Sequence, residues 1–357
     1  MKVKVLPNLT GLRFFLAVLV VFYHVPQFCK NRGLPFFDGL PVFHKGSEAV
    51  WFFFALSGYL IIRQLYIEKN HTDTISLGRF YRKRMLRIFP LYYLVLTFGF
   101  LYYQLILPNL GFEFENDYNL IKGILLSVFF LPNVFSVLYR PGGIIEILWS
   151  IGIEEQFYLF VAPLFLMVPK KYLIKGLLGF TIGYFMLFFS DLMPQLQTFS
   201  VYFFYFAAAG FCSIVTYKYQ DKIPNKKAIA IVLMILLGVY FTTNVFSDSL
   251  SEMGYHLYSM ILFSVSLSAL SLVPFSFFQN RIVTFLGTIS YGIYMFHAFA
   301  MQLTGFLFLR FINDKKLSEP LQILLFSGLV IGITILIAAL SFRYYESFFL
   351  KLKKRTE

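Results

Sequence analysis

The chain has 357 residues, of which 58% are hydrophobic, 20% aromatic and only 14% charged, with a formal net charge of +13. Soluble domains carry about 25% charged residues, so this composition excludes an ordinary soluble enzyme and points to a polytopic membrane protein. The basic excess does not describe a nucleic-acid surface, because the lysines and arginines fall in short clusters between apolar runs, where they set the orientation of insertion. The two cysteines, Cys29 and Cys212, form neither a zinc spacing nor a disulfide framework.

The first apolar run, 9–27, is long enough to cross a bilayer, which takes roughly 20 residues. Lys2 and Lys4 precede it, no small-residue cleavage site follows and further spans do, so it reads as a retained signal-anchor helix. It carries Arg13 near one end and His24 near the other. Eleven residues at about 100° each return to within roughly 20°, so the two side chains share a face, roughly 16 Å apart along the axis. Ionisable groups inside a span are costly, by at least ~2.5 kcal/mol for arginine at the centre, and point to function. The bland alternative is a snorkelling arginine with a hydrogen-bonded core histidine.

Further apolar segments follow at 47–67, 88–107, 120–138, 148–168, 172–190, 199–217, 228–245, 255–274, 283–311 and 321–345. Between the second and third, the stretch 63–87 holds Arg63, Lys69, Arg79, Arg82, Lys83, Arg84 and Arg87, the strongest cytoplasmic signal in the chain. Glu113, Glu115 and Asp117 suit an external loop. If 120–138 crossed, the lysines at 170–171 and 218–227 would fall outside. If it does not, they fall inside together with Arg281 and the terminal KLKKR, and the acidic patch 248–252 falls outside. The expected fold is therefore an all-α polytopic membrane protein of about ten transmembrane helices, with 120–138 re-entrant or interfacial. Asn119, Pro132 and Asn133 favour an interrupted helix there. The alternative is a crossing at every segment with an unusual charge distribution. Both termini are expected in the cytoplasm, and 1–357 is expected to be one integral-membrane domain with no fused soluble domain.

This topology brings His24, Glu154 and Glu155, and His297 (about two-thirds of the way across the bilayer from Val283) to one depth near the outer face. A neutral imidazole is the usual general base near neutral pH, and a carboxylate such as Glu154 can fix its tautomer and stabilise the imidazolium. A structural pair or a proton relay in a transporter uses the same residue types. Glu154 and Glu155 cannot share a helix face, so the second glutamate is expected in the outer interface. In VWFFFALSGYLI, 50–61, the Ser57-Gly58 step lets a backbone or ligand approach closely; no G-x-S-x-G elbow surrounds Ser57, which reads as a packing or path-lining residue. The stretch RFYRKRMLRIFPLYY, 79–93, is either a lipid-headgroup anchor or a phosphate site built of arginine forks. Trp149, Ser150 and Tyr158 accompany Glu154, and Ser290, Tyr294 and His297 recur at spacings of four and three.

Taken in order, these stretches resemble the integral-membrane acyltransferase family 3, which includes polysaccharide and peptidoglycan O-acetyltransferases. Arg13 and His24 reproduce its arginine–histidine signature with ten intervening residues, and FFFALSGYLI its F-F-x-x-S-G-x-L motif. RKRMLRIFPLYY is similar to its basic R-x-x-P-x-Y-Y segment. WSIGIEEQFY is similar to W-S-L-x-x-E-x-x-F-Y, with Ile151 in place of leucine. LGTISYGIYMFH and FRYYE, ending at Glu346, resemble its two C-terminal motifs.

The resemblance implies an acyl-CoA donor (acetyl-CoA) bound from the cytoplasm and no metal. It also implies an extracytoplasmic or lipid-linked carbohydrate acceptor, with His24 and Glu154 as the essential pair. Arg13, Arg79, Arg82, Arg84 and Arg87 become the donor contacts, and Ser57, Gly58, Trp149, Ser150, Tyr158, Tyr294 and His297 support the substrate path. It places the protein in the cell (cytoplasmic) membrane, with a homo-oligomer left open. The competing class is a proton-coupled transporter or glycan flippase using His24 and Glu154 as a relay. A glycerolipid acyltransferase is disfavoured, since no histidine is followed by aspartate at the H-x4-D spacing.

Overall fold

A computed structural model describes residues 6–111, 118–311 and 317–354, and among them there are helices and no strands. In chain order the main helices are α1 (Leu9–Asn31), α2 (Gly46–Thr72), α3 (Leu77–Leu101), α4 (Leu120–Val128) and α5 (Pro132–Tyr139). Then come α6 (Trp149–Met167), α7 (Lys170–Phe188), α8 (Phe203–Tyr219), α9 (Lys226–Thr242) and α10 (Glu252–Leu270). The last are α11 (Arg281–Thr288), α12 (Ser290–Phe311), α13 (Glu319–Ser341) and α14 (Ser347–Lys354). Seven helical stretches are long and apolar enough to cross a membrane: α1, α2, Leu77–Asn109, α7, α10, α12 and Glu319–Leu352. Of the other expected spans, α6 carries Glu154 and Glu155, and α8 and α9 have 17 residues each. The expected acidic loop at Glu113, Glu115 and Asp117 lies outside the described residues.

Two expectations about the elements change and a third is met. The basic stretch is not a loop: α2 continues to Thr72 and α3 begins at Leu77, so Arg79 to Arg87 are helical and only 73–76 join the two. The segment 283–311 is not one helix, because Ile289 (φ −91°, ψ 7°) separates α11 from α12. His297 therefore lies two turns into α12, counted from Ser290. The segment 120–138 is interrupted, as Pro132 suggested: α4 and α5 have nine and eight residues, each too short to cross alone. Asn119 caps α4 by accepting the Lys122 amide at 3.1 Å.

The chain divides into two compact units. The first comprises residues 1–75, 160–197 and 202–290; the second comprises 76–159, 198–201 and 291–357. In the first unit α2 and α8 pack backbone to backbone. A Cβ at Gly58 would lie 2.1 Å from the Phe206 carbonyl oxygen, and one at Gly210 the same distance from Ile62. Aromatic pairs fill the flanks, with Phe52 stacked on Phe263 (ring centroids 4.4 Å) and Phe54 on Phe206 (4.8 Å). The Lys69 ammonium, 4% exposed, donates to the carbonyls of Phe165, Leu166 and Val168 at 2.5, 3.1 and 2.5 Å. Those are carbonyls that the end of α6 leaves without intrahelical donors.

The second unit is built of interrupted helices. A π turn over Tyr102–Ile106 follows α3, and another over Phe342–Glu346 follows α13. The first carries Tyr103 inward, where its hydroxyl accepts the Ile144 amide at 3.1 Å. Gly142 (φ +102°) lies against that ring, and a Cβ there would come within 2.4 Å of it, so glycine is needed on both counts.

Candidate functional site

Arg13, His24, Ser57 and Gly58 belong to the first unit. Arg13, His24 and Ser57 are half-buried, and the Tyr23 and His24 rings meet edge-on at 5.0 Å. At Gly58 the backbones of α2 and α8 meet too closely for a Cβ, which gives the Ser57-Gly58 step a packing role.

The second unit gathers several of the remaining residues around the first half of α6. The Tyr158 hydroxyl, one turn beyond Glu154, donates to the Glu154 Oε1 oxygen. The Arg84 guanidinium lies over the Tyr158 ring, 5.9 Å from its centre. Arg87, one turn after Arg84 (spacing three) on α3, lies in the electrostatic field of Glu154, Tyr158, Tyr291 and Glu346. Arg79 and Arg82 are exposed, whereas Lys83, Arg84 and Arg87 are half-buried, so the four arginines of the stretch split into an outward pair and an inward pair, Arg84 and Arg87.

On the flank of this cluster the Ser150 hydroxyl is 2.7 Å from the Tyr294 hydroxyl, which donates to the Ile147 carbonyl at 2.9 Å. That pair ties the W-S step of α6 to α12. His297 is fully buried, and its Nδ1 lies 2.5 Å from the Tyr294 carbonyl. A carbonyl can only accept, so Nδ1 carries the proton and the ring is held by its own helix. Trp149 is half-buried at the start of α6.

Three members of the cluster were not among the expected site residues. Glu155 is 5% exposed and its Oε1 has no hydrogen-bond partner among the described groups, which overturns its expected place in the outer interface. The 100° helical step puts the two glutamates on different faces, and the face that Glu155 occupies is also protein-lined. It lies in the field of Arg84, whose Nε likewise has no hydrogen-bond partner among the described groups. Glu346, 8% exposed on the second π turn, accepts from the Ser341 hydroxyl at 3.1 Å and lies against Gly292. The Tyr291 hydroxyl donates to the Ile88 carbonyl at 3.0 Å, joining α12 to α3. The FRYYE and SYG strings marked these neighbourhoods; nothing in them marked the side chains that turn inward. No group of three or more metal-ligating side chains occurs among the described residues.

Two arginines, three carboxyls and several tyrosines thus share one buried region, with hydrogen-bonding capacity left over. Such a region can hold an anionic or hydroxylated ligand and move a proton.

Comparison with known proteins agrees with this chemistry. An acyltransferase domain family matches residues 6–339. A protein of Acidianus two-tailed virus, provisionally named an acetyltransferase, is 28% identical over 311 residues, 84% of this chain and 84% of its own length. A protein of Staphylococcus aureus (strain COL), provisionally named an O-acetyltransferase, is 23% identical over 98% of this chain. The peptidoglycan O-acetyltransferase OatA of Listeria monocytogenes is 28% identical over 47% of this chain. The chain spans 58% of the staphylococcal relative and 25% of OatA. No solved structure matches. With a family match along nearly its whole length and its apolar helices, the chain belongs to the acyltransferase 3 family and is a membrane acyltransferase.

Proposed function

We propose that the protein transfers an acetyl group from acetyl-CoA, bound from the cytoplasm, to a hydroxyl of an extracytoplasmic or lipid-linked carbohydrate. His24 takes the proton from the acceptor hydroxyl as its oxygen attacks the thioester carbonyl. The C–S bond then breaks, and the departing thiolate takes the proton from the imidazolium. Glu154, oriented by Tyr158, stabilises the charged imidazole. Arg13 with Arg79, Arg82, Arg84 and Arg87 holds the donor phosphates. Ser57, Gly58, Trp149, Ser150, Tyr294 and His297 line or brace the path. A transient acyl-imidazole at His24 would use the same residues.

The observation that carries this reading is the Arg84–Tyr158–Glu154 grouping in a chain of acyltransferase descent. Counting α6, α8 and α9 with the seven longer stretches gives ten crossings, with α4 and α5 not crossing. The cytoplasmic placement of both termini and of 63–87 then follows from the distribution of lysine and arginine. The OatA name makes a cell-wall or other surface glycan the first acceptor to test.

The test is mass spectrometry of surface glycans from cells with and without the gene, together with labelling of cysteines introduced within 63–87. Loss of glycan acetyl groups without the gene, and labelling only after the membrane is breached, are expected. Unchanged acetylation of every surface glycan, with transport of an unmodified solute, would replace the transferase with a relay. Labelling of 63–87 from outside would invert the topology.

A further inference from the structure

The start of α1 is fastened to the end of α10 by one side chain. Asn8, 3% exposed, has a left-handed backbone (φ 63°), a conformation in which asparagine is among the few tolerated non-glycine residues. Its Nδ2 donates to the Leu270 carbonyl at 2.8 Å and the Val273 carbonyl at 2.6 Å. Its Oδ1 accepts the Phe275 amide at 3.0 Å. Leu270 ends α10, so the amide side chain occupies a carbonyl that the helix cannot pair itself. No other side chain of this size offers two donors and an acceptor from one planar group.

The next turn is held as closely. A Cβ at Gly11 would lie 2.4 Å from the Phe278 carbonyl oxygen, and one at Gly287 would lie 1.9 Å from that of Thr10. Phe15 stacks on Phe277 at 5.3 Å and meets Phe278 edge-on at 5.7 Å. The Asn8 amide therefore resists sliding along the α1 axis, while the glycine contacts and Phe15 resist rotation. Arg13 lies two residues beyond Gly11, and His24 follows eleven residues later on the same face, so any slip at Asn8 moves both together.

We propose that Asn8 is a positioning residue that sets the register of α1, and through it places Arg13 for the donor phosphates and His24 for the acceptor hydroxyl. The register is read from the contacts at Asn8; its consequence for Arg13 and His24 rests on the function proposed above.

The test uses two readouts on the full-length protein in detergent. Cys29, on the last turn of α1 and 2% exposed, reports register through its rate of maleimide labelling in a Cys212→Ser background. The KM for acetyl-CoA reports Arg13. Asn8→Ala is compared with Asn8→Asp, which keeps the acceptor and loses both donors. The control is Tyr240→Phe, which removes a 2.6 Å hydroxyl contact with Ser259 elsewhere in the same unit.

Both Asn8 variants are expected to label faster at Cys29 and to lose ~10- to 100-fold activity at low acetyl-CoA, chiefly through KM. Tyr240→Phe is expected to do neither at matched thermal stability. Asn8→Ala combined with Arg13→Ala should have a KM no higher than Arg13→Ala alone. Wild-type labelling of Cys29 in both Asn8 variants, or KM effects that multiply in the double variant, would overturn the proposal. Faster labelling with a KM indifferent to Arg13→Ala would instead remove Arg13 from the donor site and confine Asn8 to the register of α1.

Discussion

In the first unit Lys45 and Glu48 are 3% and 7% exposed, and each has its partners. Their charged atoms are 3.4 Å apart, the Tyr255 hydroxyl lies 3.0 Å from Lys45 and 2.9 Å from Glu48, and the ammonium faces the Tyr240 and Tyr255 rings. In the second unit the Arg84 Nε and the Glu155 Oε1 are buried without a hydrogen-bond partner among the described groups. A fully satisfied buried pair belongs to the scaffold, whereas one with unspent capacity is where a ligand or a moving proton fits. Buried basic and acidic side chains therefore carry different meanings in the two units, and the difference lies in the hydrogen bonds around them.

Substitutions can break that contrast, and the largest effect is expected at Glu154. Glu154→Gln should lower acetyl transfer by about 10²- to 10⁴-fold while leaving thermal melting in detergent close to wild type. Loss of melting in proportion to activity would make Glu154 structural. Next comes Glu48→Gln, which leaves the Lys45 ammonium buried without its carboxylate. A loss of about 3–5 kcal/mol in stability is expected, with activity per folded molecule retained; a stable, inactive variant would move the first unit's ion pair into the chemistry. Smaller again is Glu155→Met. Removing a buried oxygen that lacks a partner should raise stability by roughly 1–3 kcal/mol and reduce turnover. Thermal melting and thiol release measured on one preparation check both halves, and a variant that melts lower with full turnover would reverse the assignment.

The smallest effect is expected at Asp73, which is 87% exposed and paired with Lys170 at 2.6 Å. The hydrogen bond from Lys170 holds its carboxyl below the ordinary carboxylate range. A depressed folded-state value gives stability that is present above about pH 4 and is lost as the pH falls through that lower value. Asp73→Asn should therefore lower the melting temperature slightly at pH 7 and leave it unchanged at the acid end. Equal shifts at both ends would mean that the pair contributes nothing through charge.

Long helices and the breaks within them differ in how far they could be read from sequence. Apolar runs such as 9–27 and 47–67 announce α1 and α2, because crossing a bilayer takes a long uninterrupted run. Pro132 announces the break between α4 and α5, since proline lacks the amide that a helix interior needs. The break at Ile289 has no proline and no turn pair to mark it, so 283–311 reads as one span. The π turns over 102–106 and 342–346 shift hydrogen bonds by one residue without any side-chain signature. They carry Tyr103 and Glu346 inward, and Glu346 adds to the candidate site a carboxyl that spacing did not place there. Glu155 shows the limit of periodicity: a 100° step puts it on another face from Glu154 but does not say whether that face meets lipid or protein.

The most direct test is the release of coenzyme A thiol from acetyl-CoA by purified protein, comparing wild type with His24→Ala, Glu154→Gln and His71→Ala. His71 lies exposed near the end of α2, outside the candidate site. The expected result is steady release by wild type and His71→Ala, with loss of about 10²-fold or more in the other two. Equal release by all four proteins would contradict the assignment of chemistry to His24 and Glu154.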